Sequence, residues 1–204
     1  MTGLRAKNKA DRHERILHAA SRLFRMLGYE ATRIELIASE AEVSIGTIYN
    51  YYQNKGDILV AIVSMEVNEV LAAGRAVIEA PPPPVSRAVD RLVSTYIDHS
   101  LVYLNKEMWR QAMAISTQQP DSPFGRTYTA LDGALTKQTC MLIKVLKDLG
   151  EVRPDIDCRS VGEMIFNNTN MMFIEFVKDE PMTIAALRAK LRRQNRTLLN
   201  AIAL

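Results

Sequence analysis

"TRIELIASEAEVSIGTIYNYYQNK", residues 32–55, places two short amphipathic runs on either side of a tight link, "AEVS" at residues 41–44. In the first run Ile34, Ile37, Ala38 and Ala41 recur at helical spacing, and Thr32 followed by Glu35 has the S/T-x-x-E spacing of a capping box. In the second, Ser44 is the expected N-cap of a helix of about two turns. Val43 and Ile48 of this run are set to pack inward against Ile37 and Phe24, which turns Ile45, Gly46, Thr47, Asn50 and Tyr51 outward. Two helices on such a link form the helix-turn-helix pattern, whose second helix enters a DNA major groove.

The residue types of the second run fit that use. Glycine inside a helix costs up to about 1 kcal/mol relative to alanine, so Gly46 calls for a reason. Close approach of helix backbone to a phosphate or base edge supplies one. Thr47 offers a short hydroxyl, and Tyr49, Tyr51 and Tyr52 offer hydroxyls on rigid rings. Lys55 adds a point charge for the duplex backbone, and Asn50 can pair bidentately with adenine. Aromatic clusters at helical spacing also form cores, and Tyr52 is the expected core member.

Helical periodicity continues along all 204 residues, with no sustained period-two alternation, so the expected fold class is all-α with about nine helices. A first helix is expected to open at Asp11 and Glu14, to bury Ile16, Leu17, Ala20, Leu23, Phe24 and Leu27, and to stop at Gly28. A fourth helix, capped by Asn54 and Asp57, carries Ile58, Leu59, Ile62, Met65 and Val70 up to the break at residues 80–84, "APPPP". Longer helices follow over residues 86–103, 106–117, 122–149, 157–178 and 183–203. Pro123 suits a first helical position, Gly150 a stop and Thr183 a cap. The pattern divides the chain into residues 1–57, short closely spaced helices, and residues 58–204, a larger helical body.

Composition narrows the classes. The net charge of +3 is small, but Arg5, Lys7, Lys9, Arg12, Arg15, Arg22 and Arg25 crowd the first helix and its leader against Asp11 and Glu14. Such a basic end reads either as a patch for polyanions or as a solvated arm. Cys140 and Cys158 lack partners at zinc-like spacing, and His13 and His18 are five apart, so no metal site is expected. No apolar run approaches the roughly 18 residues of a membrane span, and the opening residues lack the apolar core of a secretory signal. The expectation is a soluble, cytoplasmic chain. G-x-S-x-G, Walker and G-x-G-x-x-G motifs are missing, and Asp157 and Glu163 have no evident acid or base partner, so neither an enzyme nor a bound cofactor is expected.

Residues 15–59, "RILHAASRLFRMLGYEATRIELIASEAEVSIGTIYNYYQNKGDIL", resemble the DNA-binding domain of the TetR (tetracycline-repressor-like) family of bacterial transcription regulators. The shared pattern is Phe-x-x-x-Gly-Tyr, a threonine, I-A-x-x-A-G-V-S-x-G-T-x-Y-x-Y-F and an N-K-x-x-L segment. The resemblance implies a homodimer on a palindromic double-stranded DNA operator, most often a repressor, released or occasionally recruited when a small molecule enters the body; the expected effector is apolar. It places Thr32, Arg33, Thr47, Tyr49, Tyr51 and Lys55 at phosphates, and Ser44, Ile45, Gly46 and Asn50 at bases. Two residues depart from the pattern. Glu42 stands where the family prefers glycine in the turn, which implies either another turn form or a penalty of roughly 1 kcal/mol, and Gly56 replaces a charged residue.

A regulator of this kind needs two copies at fixed spacing, and the last two helices are candidates for holding them together. Val161, Ile165, Asn168, Met172 and Phe176 line one face, and Leu187, Leu191, Leu198 and Ile202 another. Both stripes equally suit closure of the protomer's own core. For an effector cavity the candidates are Met108, Trp109, Met113, Tyr128 and Met141, with Phe166, Asn167, Asn170 and Met171 around the "NNTN" interruption of an apolar helix. Each methionine and phenylalanine among them also suits plain core packing. The fourth helix, continuous with "NYYQNK", is the expected lever between effector and DNA. A helical enzyme using the body cavity, or a module whose helix-turn-helix surface binds protein, remain the other readings at this level.

Overall fold

The computed structural model describes the backbone of residues 2–204 and the side chains of Lys7 and of residues 9–204; the side chain of Arg5, part of the basic end, lies outside the described residues. Among the described residues nine helices follow in order: α1 (Thr2–Leu27), α2 (Ile34–Glu40), α3 (Ile45–Tyr49), α4 (Lys55–Glu79), α5 (Val85–His99), α6 (Lys106–Gln118), α7 (Pro123–Asp148), α8 (Cys158–Lys178) and α9 (Ile184–Ile202). An isolated antiparallel bridge between Val152 and Ala203 is the extended pairing among the described residues.

Helix boundaries follow local chemistry. Ser44, Asp157 and Thr183 accept hydrogen bonds from the backbone amides of Thr47, Arg159 and Ala186, capping α3, α8 and α9. Asn54 Oδ1 accepts from the Asp57 amide at 3.0 Å while Asp57 Oδ2 accepts from the Gln53 amide at 2.8 Å, a reciprocal cap at the start of α4. Gly28, at φ 86°, and Gly150, at φ 77°, turn the chain after α1 and α7 through the left-handed region.

Four local expectations are corrected. α1 does not open at Asp11: it runs from Thr2, and Asp11 and Glu14 pair one turn onward with Arg15 (3.4 Å) and His18 (3.6 Å) instead of capping. Leu27, expected inside, is exposed at the end of α1. The N-cap of α2 is Arg33, without a side-chain bond, because the Thr32 hydroxyl donates backward to the Gly28 carbonyl at 2.8 Å. α5 ends at His99, one turn short of residue 103.

The chain forms two compact units, Met1–Met65 with Leu101–Tyr128, and Glu66–Ser100 with Thr129–Leu204. The first holds residues 58–65 and 101–128 in addition to the 1–57 read as a domain from sequence. The reason is a set of ties from α1 and the turn after it to the segment before α6 and the first turn of α6. The Ser21 hydroxyl donates to the Tyr103 carbonyl, Arg25 Nη1 donates to the Val102 carbonyl at 2.7 Å, and the Tyr29 amide donates to Glu107 Oε1 at 3.2 Å. Leu104 and Met108 bring fully buried apolar groups with them. Ile16, Leu17, Phe24, Ile37, Ile48, Ile58 and Leu59 are among the other buried apolar groups of this unit.

In the second unit α5 lies on α9, fastened by Arg188 to Asp98 (3.0 Å) and by a two-pronged contact of Arg192 with Asp90 (3.0 and 2.8 Å). α7 and α8 cross at Gly162, where an added Cβ would lie 2.5 Å from the Cys140 Cα. Gln138 accepts from the Tyr96 hydroxyl and donates to the Leu71 carbonyl, both at 2.8 Å, so a half-buried amide is satisfied at both ends.

Candidate nucleic-acid interface

α3 is short, five residues, and its placement depends on what flanks it. Ile48 is fully buried and Tyr52 nearly so, and together they pin the helix to the core by one face. Behind it Ala38 and Ala41 of the preceding run are buried, and Glu42 makes the turn at φ 53°. Of the two outcomes open for a non-glycine turn residue, the left-handed conformation is the one observed. A non-glycine residue there costs roughly 1–2 kcal/mol.

The opposite face of α3 is open. Ile45 is 42% and Tyr49 55% exposed, and Ser44, Gly46 and Asn50 are exposed beside them. A Cβ at Gly46 would meet only the Ser44 Oγ, at 3.8 Å, so nothing inside the protein demands glycine. A glycine at this position suits a helix that seats its backbone against a groove. Ser44 Oγ and Thr47 Oγ1 lie 2.8 Å apart and the Thr47 amide donates to Ser44 Oγ, so both hydroxyls are held at the helix start. Arg33, at the start of α2, is exposed as well.

Three of the residues assigned to phosphate from sequence have work inside the fold. Thr32 is buried with its hydroxyl on Gly28. Lys55 Nζ donates to the carbonyls of Tyr29 (2.6 Å), Glu30 (3.0 Å) and Thr32 (3.3 Å), and lies 4.4 Å from the Tyr29 ring centroid. Its three N–H groups therefore close the loop between α1 and α2. Tyr51 is half-buried, and its hydroxyl donates to the Lys9 carbonyl at 3.1 Å. His13 stands 6.0 Å from the Tyr51 ring and 5.8 Å from the Tyr52 ring, and burial together with the Lys9 charge lowers its pKa, so it is neutral at pH 7. Burial also pushes the Tyr52 phenol up. Tyr29 rises to about 12, from burial first and then from Glu30 and Asp57. The contact that sequence reasoning missed is Glu107, whose carboxylate sits beside Gly28 and takes the Tyr29 amide; its only sequence signal was a position in the first turn of α6.

The residues assigned to the effector divide. Met108, Trp109 and Tyr128 are buried in the first unit, with Met113 half-buried, and in the second Phe166 is buried and Asn170 half-buried. Met141, Asn167 and Met171 lie at the surface, 51% exposed for Met141 and 57% for Met171, because they occupy the outward sides of α7 and α8. Of the two dimer stripes, Val161, Ile165, Phe176, Leu187, Leu191 and Ile202 are buried within this chain, which makes them core. Asn168 donates to Asn195 Oδ1 at 3.0 Å, and Met172 and Leu198 are half-buried. The apolar groups that α8 shows to solvent are Met164 and Met171.

Among the described residues no group of acidic, histidine or cysteine side chains is arranged to hold a metal, and no helix is long and apolar enough to cross a membrane.

Comparison with known proteins agrees with this geometry. Residues 16–62 match the model of the bacterial regulatory proteins of the tetR family, a span that runs from the buried face of α1 into α4. The chain is 24% identical over 187 residues to the fatty acid metabolism regulator protein of Bacillus subtilis (strain 168), covering 89% of this chain and 92% of that protein. A TetR-family transcriptional regulator from Mesorhizobium loti MAFF303099 has a similar fold, with a TM-score of 0.76 at 17% identity over 96% of this chain and 98% of that one. Thermus thermophilus FadR, a TetR-family transcriptional repressor in complex with lauroyl-CoA, gives a TM-score of 0.66 at 24% identity over 92% of both chains. The family match lies on a helix-turn-helix whose outer face is open, and the all-helical fold is shared along nearly the whole length, so residues 16–62 carry the domain of the bacterial regulatory proteins of the tetR family.

Proposed function

We propose that this regulator is a repressor that binds a palindromic operator as a homodimer and leaves it when a small molecule binds the helical body. The observation that carries the DNA reading is the open face of α3: hydroxyls of Ser44 and Thr47 fixed at the helix start, Tyr49 and Asn50 exposed, and a glycine that the fold itself does not need. Ser44, Ile45, Gly46 and Asn50 are the proposed base-side group, with Arg33, Thr47 and Tyr49 on phosphate. Thr32, Lys55 and Tyr51 act by holding that surface in place.

Residues 1–57 carry the DNA-reading function in this proposal and residues 58–204 the effector and dimer functions, although Leu101–Tyr128 is built into the same compact unit as the DNA-reading helices. Met108, Trp109, Met113 and Tyr128 of the first unit are one candidate set for effector contact, and Phe166 and Asn170 of the second are a separate one. Likeness to regulators that bind acyl-CoA favours an effector with a long apolar chain. The exposed methionines of α8, Met164 and Met171, are the proposed centre of the contact between copies. A cytoplasmic location follows from the role.

The test is selection of bound sequences from a random duplex pool, followed by titration of the selected duplex with lauroyl-CoA. Enrichment of a two-fold symmetric site, with half-sites about one helical turn apart (roughly 34–36 Å), and its release by the thioester are expected. Selection of no sequence would overturn the DNA reading, and a symmetric site indifferent to acyl thioesters would overturn the choice of effector.

A further inference from the structure

We infer that the N-terminal turns of α1 form a second DNA-contacting element, in which Lys9 and Arg12 bind phosphates of the duplex flanking the base pairs under α3. This rests on the helix-turn-helix reading above. α1 has 26 residues and spans about 39 Å at 1.5 Å per residue, yet among its described side chains the fully buried ones begin only at Ile16. Before that point the described side chains of Lys7, Lys9, Ala10, Asp11 and Arg12 are exposed, so packing of their own does not hold this part of the helix.

What holds this stretch is the C-terminal side of the recognition segment. The Tyr51 hydroxyl donates to the Lys9 carbonyl at 3.1 Å, the Lys9 ammonium lies 5.9 Å from the centre of the Tyr51 ring, and His13 packs against Tyr51 and Tyr52. At about 100° per residue, Lys9, Arg12, His13 and Ile16 share one face of the helix, while Lys7 lies on the other. Of the nearby carboxylates, Asp11 pairs with Arg15 at 3.4 Å, and Glu14 faces away toward the His18 ring at 3.6 Å. Among the described residues, none stands at ion-pairing distance from Lys9 or Arg12.

Two uncompensated cations are thus anchored beside the last turn of α3. The first turn of a recognition helix reads bases, and its far end lies toward the groove edge where the phosphate backbone runs. The charge, its anchoring on Tyr51 and its position beyond the base-reading residues all suit the same polyanion.

Full-length protein and the duplex selected above provide the test, by measuring affinity against salt for wild type, the Lys9→Gln/Arg12→Gln pair, and Lys7→Gln, with helicity checked in each. The pair is expected to reduce the magnitude of the log–log salt slope by about 1.8, or roughly 0.9 per lost phosphate. It should also weaken binding at low salt by tenfold or more, equally for preferred and altered sequences, and remove ethylation interference at phosphates outside the half-site. Lys7→Gln should leave the slope unchanged. An unchanged slope in the pair, a change of base preference, or an equal loss in Lys7→Gln would overturn the docked contact, the last because diffuse charge would then suffice. Failure of the wild type to select any duplex would instead remove the underlying helix-turn-helix reading.

Discussion

Lys55, the first residue of α4, reaches back to the Tyr29 carbonyl at 2.6 Å and closes the loop that aims α2. The same ammonium takes the carbonyls of Glu30 and Thr32, so one side chain satisfies three backbone acceptors in the turn after α1. Replacement by methionine keeps the aliphatic stem and removes every donor. Lys55→Met is expected to cost about 2 kcal/mol of stability, read by urea denaturation. Operator affinity well below the unfolding transition should stay within a few-fold of wild type. A normal midpoint with affinity lost would return Lys55 to the DNA surface.

Tyr49 is the converse case. It is 55% exposed on α3, so its removal leaves the core intact. Tyr49→Phe is expected to weaken operator binding about 5- to 30-fold, equivalent to 1–2 kcal/mol, and to change stability by less than about 0.5 kcal/mol. Filter binding and thermal unfolding on the same preparation check both halves.

Glu42 occupies the left-handed region at φ 53°, and its contact with Arg15, at 3.8 Å between exposed groups, is worth little. Glycine relieves the backbone cost of roughly 1–2 kcal/mol but adds freedom to the unfolded chain worth about 0.4–1 kcal/mol. Glu42→Gly should therefore stabilise by up to about 1 kcal/mol. A lower denaturation midpoint would show that Arg15 or the helix start depends on the carboxylate.

Gly162 allows α7 and α8 to cross with backbone in contact, since its Cβ would lie 2.5 Å from the Cys140 Cα and 2.7 Å from the Cys140 amide nitrogen. Neither atom belongs to a flexible side-chain end, so the helices must separate to admit a methyl group. Gly162→Ala is expected to destabilise by about 1–3 kcal/mol despite the better helix propensity of alanine. Gly133, with open space around it, is the control that should gain from the same change.

Asp132, on α7, is held up at about 6 by burial. Its carboxyl is more easily protonated in the folded chain than in the unfolded one, so the contribution to stability is greatest below pH 4 and is lost as pH rises through about 6. Asp132→Asn removes that loss. The variant should exceed wild type by an amount of order 2–3 kcal/mol at pH 7.5, with the gap closing toward pH 4. Denaturation at both pH values decides it, and a gap independent of pH would point to packing instead of charge.

Read from the chain alone, the boundaries of α6, α7, α8 and α9 and the caps at Ser44, Asn54, Asp57 and Thr183 come out within a residue or two, because caps, glycine stops and apolar periodicity act over one turn of helix. The helix-turn-helix and its open face were legible for the same reason, since Ile48 and Tyr52 on one side and Tyr49 and Asn50 on the other are set by local spacing. The partners of long side chains were not. Lys55 reaches carbonyls 23 to 26 residues away, Thr32 turns its hydroxyl back to Gly28, and Glu107 meets Tyr29 across 78 residues. Such meetings depend on how helices stack, and a lysine that binds phosphate has the same sequence as one that binds carbonyls. The stripes of α8 and α9 show the same limit: periodicity establishes that Ile165, Phe176, Leu187 and Leu191 share buried faces, but only packing shows that this chain covers them itself, leaving Met164 and Met171 outside. Burial is a property of neighbours, and neighbours are assembled in three dimensions.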